Sequence, residues 1–121
     1  MDESILTTIK ALLGLESDYD VFDGEILVFI NTSFLALRQL GVSSAEGFSV
    51  KDETATWVEL LGTTVDLDAV KSYIYIKVRL LFDPPSSSYV LDAFTKQLAE
   101  LEFRINVTAD PYVAATPTVV P

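Results

Sequence analysis

The chain contains no cysteine and no histidine. Without cysteine there are no disulfides and no thiol nucleophiles, and without either residue there are no zinc sites of the Cys/His kind. The lack of imidazole also removes the side chain best suited to acid–base chemistry near neutral pH. Positive charge is scarce: 8 lysines and arginines stand against 18 aspartates and glutamates, giving a formal net charge of −10. No basic tract is present, so gripping nucleic-acid phosphates is not the expected task. Acidity that confers solubility is the plainest account of the charge. A negative surface is also compatible with DNA close by, because it repels the backbone instead of adhering to it.

Long apolar runs are missing too. None approaches the ~20 residues that a membrane span requires, and Met1-Asp2-Glu3-Ser4 is acidic where a signal peptide is basic. The expectation is a soluble, intracellularly made protein with no membrane partner. Apolar residues are nevertheless abundant, at 50% of 121 residues with a mean hydropathy of +0.36. One domain of this length removes roughly two-thirds of its unfolded surface from water. A chain this apolar either packs very well or gives part of its apolar surface to a neighbouring subunit, and the second is the expectation.

Taken in order, Ser4 to Leu13 has Ile5, Ile9, Leu12 and Leu13 at helical spacing, acidic residues before it and Gly14 as C-cap. Glu16 to Asp23 is an acidic connector. Asp23 then caps a helix over Gly24 to Leu40, with Ile26, Leu27, Ile30, Phe34, Leu37 and Leu40 as its apolar stripe and Gly41 as its stop. Val42 to Lys51 is a loop with room for an extended piece at Phe48-Ser49-Val50. A brief helix is expected from Thr54 to Leu61, capped by Asp52 or Thr54 and ended by Gly62. Trp57, the single tryptophan, is expected to anchor the core.

The stretch Val70 to Phe82 fits two periods. At period two, Ile74, Ile76, Val78, Leu80 and Phe82 alternate with Tyr73, Tyr75, Lys77 and Arg79, which suits a half-buried strand. At period 3.6, Val70, Ile74, Val78 and Leu81 form a stripe with Tyr73, Lys77 and Leu80 beside it. Context favours the helix: Asp66 is a good N-cap, and Leu67 to Phe82 would be about 24 Å of helix but an unusually long strand. Pro84 and Pro85 end the element either way. The last helix starts at a cap on Ser87 or Ser88 and carries Leu91, Phe94, Leu98, Leu101 and Ile105 inward. Lys96, Glu100 and Arg104 follow one another at i, i+4 and i+8 on its outer face. Residues 1–107 form the helical domain, and 108–121, rich in small residues and proline, form an extended or flexible tail that cannot make a core of its own.

Catalytic and metal motifs are not evident. Glu16-Ser17-Asp18-Tyr19-Asp20 with Asp23 has the look of a calcium loop, but Val21 stands where the loop needs glycine and Leu27 where it needs its bidentate glutamate. No phosphate-binding glycine loop and no nucleophile with an evident base occur, so the chain is not expected to be an enzyme and no cofactor or metal is assigned. The one unusual cluster is Tyr73, Tyr75, Lys77 and Arg79. Its cations either snorkel from a core helix whose tyrosines reach the rim, or form a patch that compensates acidic groups on an adjacent copy.

The chain resembles the small head–tail connector, or adaptor, proteins of tailed bacteriophages. The resemblance is carried by ILTTIKALLGL, FDGEILVFINTSFLALRQLGV, FSVKDETATWVELLG and above all VKSYIYIKVRLLFDPPSSSYVLDAFTKQLAELEFRINV, and covers roughly residues 4 to 107. It implies an all-α bundle of four to five helices, with the ambiguous stretch helical, and a subunit of a twelvefold ring between the portal and the stopper or tail-completion proteins. Such a ring extends the DNA channel without binding DNA specifically. It implies a virion location at the head–tail interface after synthesis in the host bacterial cytoplasm. On that footing Tyr73, Tyr75, Lys77, Arg79, Lys96, Glu100 and Arg104 are candidate contacts between subunits. Pro111, Tyr112, Val113, Val119 and Val120 are candidate docking residues of the tail, toward portal or neighbour. The competing expectations are a helical interaction module with a non-viral or other partner, and a small enzyme or enzyme subunit.

Overall fold

A computed structural model describes residues 3–42, 45, 47–61 and 67–109. They form five helices: α1 (Ile5–Leu12), α2 (Asp23–Gln39), α3 (Trp57–Leu61), α4 (Leu67–Phe82) and α5 (Ser88–Ala109). The fold is all-α, and the stretch that also fitted a strand is helix α4, with the bounds expected for it.

Each helix end has a local cause. The Ser4 hydroxyl accepts from the Thr7 amide at 3.2 Å and starts α1. Gly14, at φ +85°, closes it: the Leu15 N–H donates to the Lys10 carbonyl at 2.9 Å. Gly41, at φ +102°, does the same for α2, with the Val42 N–H donating to the Leu37 carbonyl at 3.0 Å. Both are left-handed closures that a side chain would strain. At the corner after α4, the Leu91 N–H donates to the Ser87 carbonyl at 3.0 Å as α5 begins.

Two expected caps differ from the structure. Asp23 does not cap α2. It lies in the first turn behind Phe22, and its carboxylate sits 2.9 Å from the Lys10 ammonium. The short helix begins at Trp57, not Thr54, because Thr56 and Glu59 satisfy each other's backbone amides in a reciprocal cap. Glu59 accepts from the Thr56 N–H at 2.9 Å, and the Thr56 hydroxyl accepts from the Glu59 N–H at 3.1 Å. Asp52 and Thr54 instead close a turn of their own, in which Asp52 accepts the Thr54 amide at 2.8 Å. The bonds that Asp52 accepts from the Thr54 hydroxyl first, and from its amide second, hold the Asp52 carboxyl below its usual range. The expected caps Asp66 and stop Gly62 lie outside the described residues.

Helix α4 is the centre of the molecule. It packs against α2, α5 and α1, and Ala69, Val70, Tyr73, Ile74, Ile76 and Val78 are all buried. That is wider than the single stripe expected, because α4 is covered on more than one side. Leu81, expected in the stripe, is 53% exposed, because it stands one turn on from Lys77 on the side of α4 that is only partly covered. On α2, Ile26, Ile30, Phe34 and Leu37 are buried as expected, with Leu27 and Leu40 half-buried. On α1, Leu6 and Lys10 are buried beside Ile5 and Ile9, whereas Leu12 turns outward.

Trp57 anchors the core at 1% exposure. Its indole N–H donates to the Thr8 hydroxyl at 3.1 Å, and the Lys71 ammonium lies 5.9 Å from its ring, so one side chain joins α1, α3 and α4. Backbone bonds from Ile5 to Ala55 (3.0 Å) and from Trp57 to Glu3 (3.1 Å) tie the entry of α3 to the entry of α1.

No strand occurs among the described residues, and Phe48-Ser49-Val50 is not extended sheet. The Asn31 side chain takes the place of a partner strand: its Oδ1 accepts from the Val50 N–H at 2.7 Å and its Nδ2 donates to the Val50 carbonyl at 3.0 Å. The far end of α5 is fastened by Asn106, whose Nδ2 donates to the Leu40 carbonyl at 2.8 Å and satisfies one of the free carbonyls ending α2.

Candidate interaction surface

The four residues singled out on α4 separate into two pairs, each spaced i, i+4 and therefore one above the other on the helix. Tyr73 and Lys77 form the first. Tyr73 is 1% exposed, its hydroxyl donates to the Glu102 carboxylate on α5 at 3.0 Å, and the Lys77 ammonium lies 5.6 Å from its ring. Burial, the bond to Glu102 and the charge of Glu102 together push the phenol above its ordinary value. Tyr73 is thus committed to the contact between α4 and α5 inside one subunit.

Tyr75 and Arg79 form the second pair, on another side of α4. The Arg79 Nη1 donates to the Tyr75 hydroxyl at 3.1 Å, and its Nε donates to the Asp83 carbonyl at 2.7 Å at the proline corner. The guanidinium also lies 5.8 Å from the Phe94 ring, which binds the corner to α5. These two remain half-buried and reach the surface.

Tyr75 also floors a groove of about 500 Å³ between α1, α4 and α5. Lys71 and Ile76 complete the floor, and Leu12 of α1 with Phe94 and Gln97 of α5 make the walls. The groove is more apolar than polar, and Lys71 in its lining pairs with Glu3.

Other large apolar side chains face water. Val28 and Leu35, seven residues apart on the outer side of α2, are 60% and 52% exposed; Phe103 on α5 is 72% exposed and Tyr89, at its start, 82%. Lys96, Glu100 and Arg104 are on exposed positions of α5. Helix α5 runs on to Ala109, two residues past the expected domain boundary, and the tail residues Pro111, Tyr112, Val113, Val119 and Val120 lie outside the described residues.

The acidic connector is organised by a cation already present. Lys10, 2% exposed, donates to the Ser17 carbonyl at 3.0 Å and pairs with Asp23, which ties the connector to α1. Among the described residues no group of three or more Asp and Glu side chains is placed to hold a metal ion, and no helix is long and apolar enough to cross a membrane.

Sequence reasoning missed Lys10, Asn31 and Glu102. Lys10 carries a faint signal, a lone cation between Ile9 and Leu13 next to an acidic run. Asn31 and Glu102 carry none, because their partners come from distant segments.

No curated protein and no solved structure matches the chain. A family model described as phage connector protein matches residues 5–112, a span that takes in all five helices. The chain therefore belongs to the phage connector protein family.

Proposed function

We propose that this chain is a ring-forming adaptor of the phage virion, seated between the portal and the stopper or tail-completion proteins, where it prolongs the DNA channel. Membership of the connector family, along essentially the whole folded region, carries this reading and makes the protein a structural component of a phage. The surface supports it. Val28, Leu35, Tyr89 and Phe103 are large, apolar and more than half exposed, as expected of a subunit that meets neighbours. A formal net charge of −10 suits a conduit whose wall must not hold the passing DNA.

The role is mechanical, and no catalytic step is assigned. Each copy contributes an identical wedge, and a head-to-tail contact repeated with a closing rotation makes a ring. The twelvefold count comes from the family and is part of the proposal, as are the partners on either side of the ring. Incubating the purified chain with portal-bearing capsids that lack it, then sedimenting the capsids, tests the role. Co-sedimentation that needs the portal supports it, and a chain that never binds such capsids refutes it.

A further inference from the structure

We infer that the free chain pairs with a second copy of itself through the outer face of α5, the two helices running antiparallel about a two-fold axis at Leu98. A two-fold contact closes at two copies and does not propagate into a ring, so this pairing goes beyond the ring reading and belongs to the chain before it reaches a capsid.

The first argument is the order of residues along the helix. Tyr89, Lys96, Glu100, Phe103 and Val107 fall within an arc of about 60° on α5. All five are exposed, while Leu101 and Ile105 on the far side are buried. Counted from Leu98, Lys96 and Glu100 stand two residues away on either side, Ala93 and Phe103 five, Asp92 and Arg104 six, and Tyr89 and Val107 nine. An antiparallel copy centred on the same residue therefore sets Lys96 level with the second copy's Glu100, and Glu100 level with its Lys96. Asp92 stands level with Arg104 in the same way, Tyr89 with Val107, and the small Ala93 leaves room for the Phe103 ring. Tyr89 and Phe103, at 82% and 72%, are the most exposed large apolar side chains among the described residues, and this contact covers both.

The second argument is charge. Asp92, Lys96, Glu100 and Arg104 alternate in sign at steps of four residues. A parallel copy in register sets like charges level, and so does an antiparallel copy slipped by four residues. The antiparallel alignment about Leu98 sets every charge of the row level with its opposite, so the alternation selects both direction and register. Lys96 and Glu100 form no ion pair with any described residue of their own subunit and are available to a second copy. Residues 1–66 hold 12 acidic and 3 basic residues, whereas 67–109 hold five of each. Two copies of an acidic protein thus meet through the part of the chain whose charges cancel.

Sedimentation equilibrium of the purified full chain tests the pairing without capsids. The expected result is a reversible dimer that weakens as salt is added. Lys96→Glu alone, or Glu100→Lys alone, sets like charges level twice across the axis and should raise the dissociation constant about tenfold or more, with the helical signal unchanged. The two reversals move the net charge in opposite directions, so a loss common to both reports the local contact and not overall repulsion. Combining them restores opposite signs at every level and should return most of the affinity. Phe103→Asp should leave the chain monomeric. A parent chain that stays monomeric at about 1 mM overturns the inference. So does a dimer indifferent to the single reversals, or a double variant no tighter than either single one. Each of those results leaves the ring reading standing. A chain that pairs in this way but never binds portal-bearing capsids removes the ring reading and keeps the α5 pair.

Discussion

The Tyr73 hydroxyl donates to the Glu102 carboxylate across the α4–α5 interface at 3.0 Å, and the phenol's affinity for its proton is raised by burial first and by Glu102 second. Folding therefore favours the protonated phenol. Below the unfolded value of 10.0 both states keep the proton, so the stabilisation from this group is fully present and does not vary with pH. Above it the unfolded chain releases the proton while the folded chain retains it, so stability falls with rising pH. In denaturant titrations Tyr73→Phe should be less stable than the parent by about 1–2 kcal/mol at neutral pH, because Glu102 loses a donor. Above pH 10 the gap should narrow as the parent loses stability faster. A gap that stays constant to pH 11 would show that the phenol is not held in this way.

Asn31 and Val50 form the second long-range contact with a measurable consequence. Both backbone groups of Val50, a residue 1% exposed, depend on one side-chain amide. Asn31→Ala should cost about 2–3 kcal/mol, the cost of leaving a buried donor and acceptor without partners. Hydrogen exchange should localise the loss to the Val50 amide. Rapid exchange there in the parent protein would contradict the contact.

The Lys10–Asp23 pair makes an asymmetric prediction. Asp23→Ala leaves a cation buried at 2% exposure with one carbonyl as partner, and should cost about 2–3 kcal/mol, less than for a fully buried pair because the Asp23 side chain is 26% exposed. Lys10→Met should cost less, since an apolar stem of similar volume fills the site and the Asp23 side chain is 26% exposed, although its Oδ1 facing Lys10 is buried. Thermal unfolding of the two variants checks the order. The reverse order would mean that the connector is held by something other than this cation.

Removal of residues 110–121 should leave the far-ultraviolet circular dichroism nearly unchanged, because all five helices end before Asp110. The same deletion should weaken attachment to capsids. An unfolded product would make the tail part of the core, and undiminished attachment would remove its docking role.

Much of the fold was legible in the sequence, and the reasons are local. Gly14 and Gly41 sit where a left-handed closure is needed, and Pro84 and Pro85 cannot continue α4, so the helix ends could be read one turn at a time. Trp57 could be assigned to the core by size alone. What could not be read depended on partners far along the chain. Asp23 looks like a cap from its neighbours and becomes an ion-pair partner only because α1 brings Lys10 beside it. Val50 ends the loop stretch that had room for an extended piece, and is paired by a side chain nineteen positions away. The α4 cluster shows the same division. The residue types were recognised, but only the packing of α5 reveals that Tyr73 belongs to the interior and Tyr75 to the groove.

The central claim is that copies of this chain close into a ring on the portal vertex. Averaged electron-microscope images of that vertex, with and without the protein, test it most directly. The account predicts an added ring of density coaxial with the DNA channel and absent without the protein. An unchanged vertex, or density bound as isolated copies away from the channel axis, would contradict it.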